Sequence, residues 1–303
     1  MIHTLEGLAE ADSNVMLVTG DLGFGVLTRF SERFPRQFVN AGVAEQNMTG
    51  LAVGMALEGK TVFTYSIGNF PTLRCLEQIR NDACYHNANV KIVCIGGGFT
   101  YGSLGISHHA TEDLAILRAL PNITVIAPGD PVETAAATRA VYDTPGTCYL
   151  RLGRGGEPRM HPGPIDFQIG KAIRLFEGED VAILSTGGIL KVASAAREKL
   201  EAFGLSVGLF SVHTVKPIDC ELVMELAGKV RLIVTLEEHT VIGGFGGAVA
   251  EIVAQMSGLK ANLEMIGLRD CFSSIVGDQE YLRSVYGLTA DDVVSRVRAR
   301  LDP

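Results

Sequence analysis

No Cys-x-x-Cys pair, no run of basic residues and no long uncharged apolar stretch occurs in the 303-residue sequence. Each absence removes a class of protein. The six cysteines, at positions 75, 84, 94, 148, 220 and 271, are scattered. No His, Cys or Asp cluster has metal-ligand spacing either, so the chain is expected to hold no metal by itself. Cys94 and Cys148 fall inside apolar runs, where cysteine behaves as a small hydrophobe. The formal net charge is −8; nothing invites nucleic acid or an anionic membrane, and a small phosphorylated substrate stays open. Without a signal peptide or a membrane-length apolar span, the chain reads as cytoplasmic, with reduced thiols.

What is present suits a folded α/β protein. Hydrophobic residues make up 47% and charged residues 20%, enough to fill sizeable cores and too apolar for disorder. The length exceeds one ordinary α/β domain and accommodates two. Val15–Thr19, Thr61–Tyr65, Val90–Ile95, Ile123–Ile126 and Cys148–Leu152 predict buried strands. Helical spacing lies between them, at roughly 44–58, 71–87, 111–120 and 131–142, the last preceded by Pro128-Gly129-Asp130 as stop and cap. This alternation predicts a doubly wound parallel sheet. The rhythm breaks where Gly153, Gly155, Gly156, Pro158, Pro162, Gly163 and Pro164 crowd together as in a linker. Val181–Leu184, Ser206–Phe210 and Leu232–Leu236 then open a second α/β series. The expected organisation is a first domain over 1–155, a linker over 156–169 and a second domain over 170–303.

Few residues stand out as chemistry on their own. Glu45, in Asn40-Ala41-Gly42-Val43-Ala44-Glu45-Gln46-Asn47, reads either as a first-turn carboxylate facing a helix dipole or as a half-buried carboxyl with a raised pKa. His108 and His109 follow a strand and precede a helix, where ligands gather in open α/β sheets, or they are surface polar residues beside a cap at Ser107 or Thr111. Gly96-Gly97-Gly98, Gly153 to Gly156 and Gly243 to Gly247 match neither the P-loop nor the dinucleotide fingerprint, so tight turns explain them. Arg151 and Arg154 are anion binders or members of ion pairs. These residues alone define a two-domain α/β enzyme or subunit and nothing narrower.

Several segments together resemble the transketolase family. Gly20-Asp21-Leu22-Gly23, Asn40 to Met48, Gly105 to His109, Leu120-Pro121-Asn122 and Ala127-Pro128-Gly129-Asp130 are similar to its pyrimidine-binding domain. Val212 to Asp219 and Glu237 to Gly244 are similar to its C-terminal domain, with His213 and His239 open to structural and functional readings alike. The resemblance implies two doubly wound α/β domains, a parallel-sheet thiamine diphosphate pyrimidine-binding domain and then a transketolase C-terminal-like domain. It gives Glu45 the hydrogen bond to a ring nitrogen of the cofactor's aminopyrimidine, made by a carboxyl kept partly protonated in an apolar pocket. It makes Phe70 the aromatic face against the pyrimidine, with Tyr65 in reserve. His108 falls beside the cofactor's reactive carbon, His109 next to it at the substrate, and Arg154 at a substrate phosphate.

The departures from the family are informative. Its G-D-G…N segment, which holds Mg²⁺ and the diphosphate, does not occur; Gly20-Asp21-Leu22, Gly129-Asp130-Pro131 and Gly277-Asp278-Gln279 come nearest. The resemblance therefore implies a separate diphosphate-binding subunit carrying that motif and most of the Mg²⁺ contacts, in an α2β2 assembly. A histidine and an aspartate that read sugar hydroxyls in full-length transketolases are missing from Gly97 to Leu104, and glycine near Gly25 replaces a phosphate-contacting serine. The implied activity is two-carbon ketol transfer from a ketose to an aldose, sugar or sugar phosphate, in a specialised pathway. A pyruvate-decarboxylating synthase of the deoxyxylulose-phosphate type, a 2-oxo-acid dehydrogenase beta subunit and a non-catalytic regulatory paralogue are the alternatives.

Overall fold

The computed structural model describes residues 1–258 and 260–301. Its first sheet is built from β1 (Val15–Thr19), β2 (Phe38–Asn40), β3 (Thr61–Ile67), β4 (Val90–Ile95), β5 (Ile123–Ile126) and β6 (Thr147–Leu152). The second holds β7 (Ile173–Phe176), β8 (Val181–Thr186), β9 (Val207–Ser211), β11 (Leu232–Thr240) and β12 (Asn262–Leu268). Between β9 and β11 the chain reaches back: β10 (Thr214–Lys216) pairs antiparallel with β5 and closes the edge of the first sheet. The strand orders are β10-β5-β6-β4-β3-β1-β2 and β12-β11-β8-β9-β7, parallel except for β10 and β7.

The central strands are buried on both faces because helices cover both. β1, β4, β6 and β8 are buried at every position, as a two-sided parallel sheet demands. Met48, Ile79 and Leu114 fill one face of the first sheet and Leu5, Phe30 and Val141 the other. Asp130 caps the helix Pro131–Asp143 by accepting the Glu133 N–H at 2.8 Å, and Asp219 caps Cys220–Lys229 through Leu222 N–H.

From β1 in the first sheet and from β8 in the second, the chain first adds a strand on one side and then returns to add the next on the other. The crevices at which this reversal happens lie between the carboxyl ends of β1 and β3 and between those of β8 and β11. Ligands of open α/β sheets bind at such points.

The segment joining the sheets is held against the first. Asp130 Oδ2 accepts the N–H groups of Met160 and His161 at 2.8 and 3.0 Å, and His161 Nε2 lies 2.7 Å from Glu133 Oε1. Phe167 stacks on the buried His213 ring at 3.9 Å. No helix among the described residues is long and apolar enough to cross a membrane.

Candidate functional site

Loops at the carboxyl ends of β1, β2, β3 and β4 converge on the first crevice. At the end of β2, Asn40 Oδ1 accepts the N–H groups of Asp21 and Gly42 at 3.0 Å each, joining two of these loops. The helix Glu45–Leu57 follows, so Glu45 sits in a first turn. Gly20 leaves room beside it: a Cβ there would lie 3.4 Å from Glu45 Cγ.

Glu45 is 4% exposed, and its pocket is not purely apolar as the sequence led us to expect. Arg74 Nη1 donates to its Oε2 at 2.8 Å, while Oε1 makes no hydrogen bond among the described residues. An unpartnered buried carboxylate is costly; a half-exposed arginine from the segment after β3 removes that cost. The same guanidinium lies 4.5 Å from the centroid of the Phe70 ring. Nothing in the sequence marked Arg74.

Phe70 continues the contact towards His108, with ring centroids 5.1 Å apart and planes near perpendicular. Gly68, at φ +48, allows the approach, since a Cβ there would stand 3.2 Å from the His108 carbonyl oxygen. Asn69 Nδ2 donates to His109 O at 2.8 Å. Ser107 Oγ and His108 Nδ1 are 3.0 Å apart, and His108 Nε2 has no hydrogen bond among the described residues. Burial and the neighbouring His109 push the His108 pKa below the usual histidine value, so its imidazole is neutral at pH 7. His109, placed beside a substrate by sequence reasoning, instead turns inward. It is buried, its Nε2 meets Gly102 O at 3.1 Å, and its ring stands edge-on to Phe99 at 5.2 Å.

Tyr65 and Arg154 line a neighbouring cavity of about 330 Å³, with Ile95, Asp130 and Leu152. Burial, with Tyr101 close by, pushes the Tyr65 phenol up to about 12. Tyr101, overlooked in the sequence, links the two groups of residues. Its ring centroid lies 6.3 Å from that of His108 and 6.0 Å from the Arg154 guanidinium carbon. It occupies the space over Gly96, whose Cβ would overlap the ring. A glycine cluster followed by an aromatic was the available signal. Arg154 also borders a second cavity of about 450 Å³ between the domains, beside Lys191 and Gln279.

Asp130, Glu133 and His161 bring potential ligand atoms within 4.8 Å of one another, a grouping their sequence spacing hid. All three are engaged by the protein: Glu133 Oε2 accepts the Gly129 N–H at 2.6 Å, and the remaining contacts hold the linker. We treat the trio as a latch.

The crevice therefore offers a buried carboxylate with one free oxygen, an aromatic wall, a neutral imidazole with a free nitrogen, and a guanidinium at the rim. That donor set fits a flat nitrogen heterocycle beside an anionic, carbonyl-bearing substrate, and the aminopyrimidine of thiamine diphosphate is such a heterocycle. Fold and site together define a two-domain α/β protein whose first switch point carries the donor set of a heterocycle site. Residues 2–158 match the family transketolase, pyrimidine binding domain, and residues 170–293 match transketolase, C-terminal domain. The chain belongs to the transketolase family. It is 39% identical to a transketolase C-terminal section of Methanocaldococcus jannaschii, covering 97% of this chain and 93% of that one. It is 37% identical to a 6-deoxy-6-sulfo-D-fructose transketolase subunit of Clostridium sp. MSTE9, covering 94% and 88%. Among solved structures, a split gene transketolase described as an inactive beta4 tetramer superposes with a TM-score of 0.88 at 36% identity, over 99% of this chain and 95% of that one.

Proposed function

We propose that this chain is the pyrimidine-binding subunit of a heteromeric, thiamine diphosphate-dependent enzyme that transfers a two-carbon ketol unit from a ketose to an aldose. A separate diphosphate-binding subunit supplies the Mg²⁺ and diphosphate contacts, in an α2β2 assembly located in the cytoplasm. The observation that carries the reading is Glu45, buried at the switch point with one carboxyl oxygen unpartnered among the described residues and with Phe70 and His108 beyond it. Relatives named as transketolase subunits or sections, matched along most of their length, support the split arrangement. The domain limits proposed are 1–155 and 170–303, joined by 156–169.

When bound, thiamine diphosphate supplies the electron sink for breaking and making the carbon–carbon bond beside a carbonyl. This chain supplies position and protons. Glu45 would hold the pyrimidine ring nitrogen through its Oε1, while Arg74 fixes the carboxylate through Oε2. Phe70 would form the wall against the pyrimidine, with Tyr65, in the neighbouring cavity, as the reserve. His108 Nε2 donates to the substrate oxygen or takes its proton, a role suited to an imidazole neutral at pH 7. Arg154 receives an anionic end group, phosphate or sulfonate, and Tyr101 offers a phenol along the way. His109 supports the loop and does not touch substrate in this reading.

Calorimetry with thiamine diphosphate and Mg²⁺ on each chain alone and on the mixture tests the proposal. Cofactor binding and ketol transfer in the mixture alone are expected, and His108→Asn should lower kcat by about 10²–10⁴. A mixture that consumes pyruvate but transfers no ketol unit would move the reading to the decarboxylating synthase. One that binds no cofactor would leave a scaffold.

A further inference from the structure

The second sheet has its own switch point, at the carboxyl ends of β8 and β11. Part of that crevice is occupied from within the chain. The turn Gly98–Phe99, leaving β4 of the first sheet, enters it and meets Glu238 near the end of β11. Glu238 is buried, and its Oε1 accepts the Phe99 N–H at 2.5 Å and Gln279 Nε2 at 2.9 Å. Its Oε2 accepts Arg283 Nε at 2.6 Å and Nη2 at 2.5 Å. The Phe99 ring stacks on Tyr286 at 5.3 Å and stands edge-on to His109. Gly98 has no room for a side chain, because a Cβ would overlap the Glu238 carboxylate.

The held turn is bonded to the segment that carries His108. Gly98 and Ala110 form an antiparallel bridge, with N–H to O distances of 2.8 and 3.1 Å. Arg151 Nη2 donates both to Ala110 O at 2.7 Å and to Glu238 O at 3.1 Å. Thr240 N–H reaches Thr111 O at 2.8 Å. The residues just beyond His108 are therefore fixed by the end of β11, more than a hundred positions away in sequence.

We propose that Glu238 is a positioning residue for His108, and that the second domain acts as a clamp whose crevice is made to receive the Gly98–Phe99 turn. The carboxylate suits the task because it accepts the turn's N–H on one oxygen while a guanidinium locks the other. A loop tied in this way keeps the imidazole within the narrow geometry that proton transfer requires.

Only the kinetic arm of the test rests on the ketol-transfer reading. Hydrogen exchange, read by mass spectrometry on the full chain alone, should show the 98–110 segment of Glu238→Ala exchanging faster by about tenfold or more. Glu238→Gln, which keeps an acceptor for Phe99 N–H, should stay nearer the wild type. In the reconstituted complex, with 3-hydroxypyruvate as donor and glycolaldehyde as acceptor, Glu238→Ala should lower kcat by about tenfold to a hundredfold with the donor KM within about twofold. Glu238→Gln should recover most of that loss. Unchanged exchange in Glu238→Ala, or a raised KM with kcat intact, would overturn the proposal. Should Glu238→Ala not fold, Glu238→Asp keeps the charge and withdraws it from Phe99 N–H; faster exchange and lower kcat are expected, and wild-type values sink the idea. A wild-type complex without ketol transfer would refute the proposed function, while the exchange measurement would still decide the clamp.

Discussion

The two switch points are built alike and finished differently. At the carboxyl edge of the first sheet, Glu45 Oε1 and His108 Nε2 have no partner among the described residues, and Phe24 and Val43, nearby in the loops after β1 and β2, are 82% and 76% exposed. At the edge of the second, the buried carboxylates Glu237 and Glu238 are both engaged. Glu238 holds Arg283 and the Phe99 N–H, and Glu237 accepts the N–H groups of Phe245 and Gly246 at 2.7 Å each. Between the two edges, Asp113 receives Tyr149 Oη at 2.5 Å and Arg151 Nε at 2.9 Å. Doubly wound topology thus supplies a place for a ligand, and the pairing of the charges there decides whether the place is open. An edge whose charges satisfy one another supports the structure, whereas one left incomplete is available to chemistry.

The contrast is most easily broken at the filled side. Arg151→Met leaves Asp113 buried beside apolar strands without its cation, and breaking a buried pair costs about 3–5 kcal/mol; urea unfolding should show a loss of that size. A change below about 1 kcal/mol would mean that this buried pair contributes little. Acid should act next. Burial pushes His213 down to about 4, with Glu133, His161 and Asp219 the charged groups around it. The folded state resists this proton, so stability is complete above the unfolded value near 6.5 and falls as pH drops from there to about 4, by roughly 3 kcal/mol in all. His161 has the opposite sign: its bond to Glu133 raises its pKa, and its contribution is full below 6.5 and fades as pH rises through the folded value. Unfolding measured from pH 7.5 to 4.5 should therefore show a shallower acid loss in His213→Gln than in the wild type, and parallel curves would count against this account.

Glycines sharpen the comparison at smaller scale. Gly98 and Gly25 both have positive φ, +65 and +74, but a Cβ on Gly25 would meet nothing within 4 Å. Gly25→Ala should cost about 1 kcal/mol of backbone strain. Gly98→Ala adds the overlap with Glu238 and should cost about 2 kcal/mol more. Equal losses in thermal unfolding would show that the turn is not tightly held.

How much of this was legible depended on range. β1, β4 and β5 followed from runs that are mostly apolar, β4 despite its buried Lys91, because burial on both faces leaves no alternation to misread. β2 is three residues long, and β7 alternates half-buried and exposed positions at an edge, so neither announced itself. β10 joins the other domain's sheet, a tertiary choice that local pattern does not encode. The helical spacing over 71–87 resolved into short 3₁₀, α and π pieces, and the break falls beside Arg74, where the chain bends to cover Glu45. Glu45 and His108 were found through a resemblance, not through spacing. Arg74, Tyr101 and Glu238 act through neighbours distant in sequence, and only the fold brings those together.

The smallest expected effect on stability accompanies one of the largest on activity, at the open edge. Glu45→Gln keeps the volume and a carbonyl acceptor for Arg74. Arg74 is half exposed and can turn to water, so no buried charge is stranded. The unfolding free energy should shift by no more than about 0.5 kcal/mol. The amide, however, cannot share a proton with a ring nitrogen as a carboxyl does, and ketol transfer by the reconstituted complex should fall by about 10²–10⁴. Glu238→Ala supplies the converse, since it strands Arg283 in a buried site and should cost about 3–5 kcal/mol. If Glu45→Gln proved as destabilising as Glu238→Ala, the first edge would be a filled one after all, with Arg74 its permanent occupant and not a placeholder for a ligand.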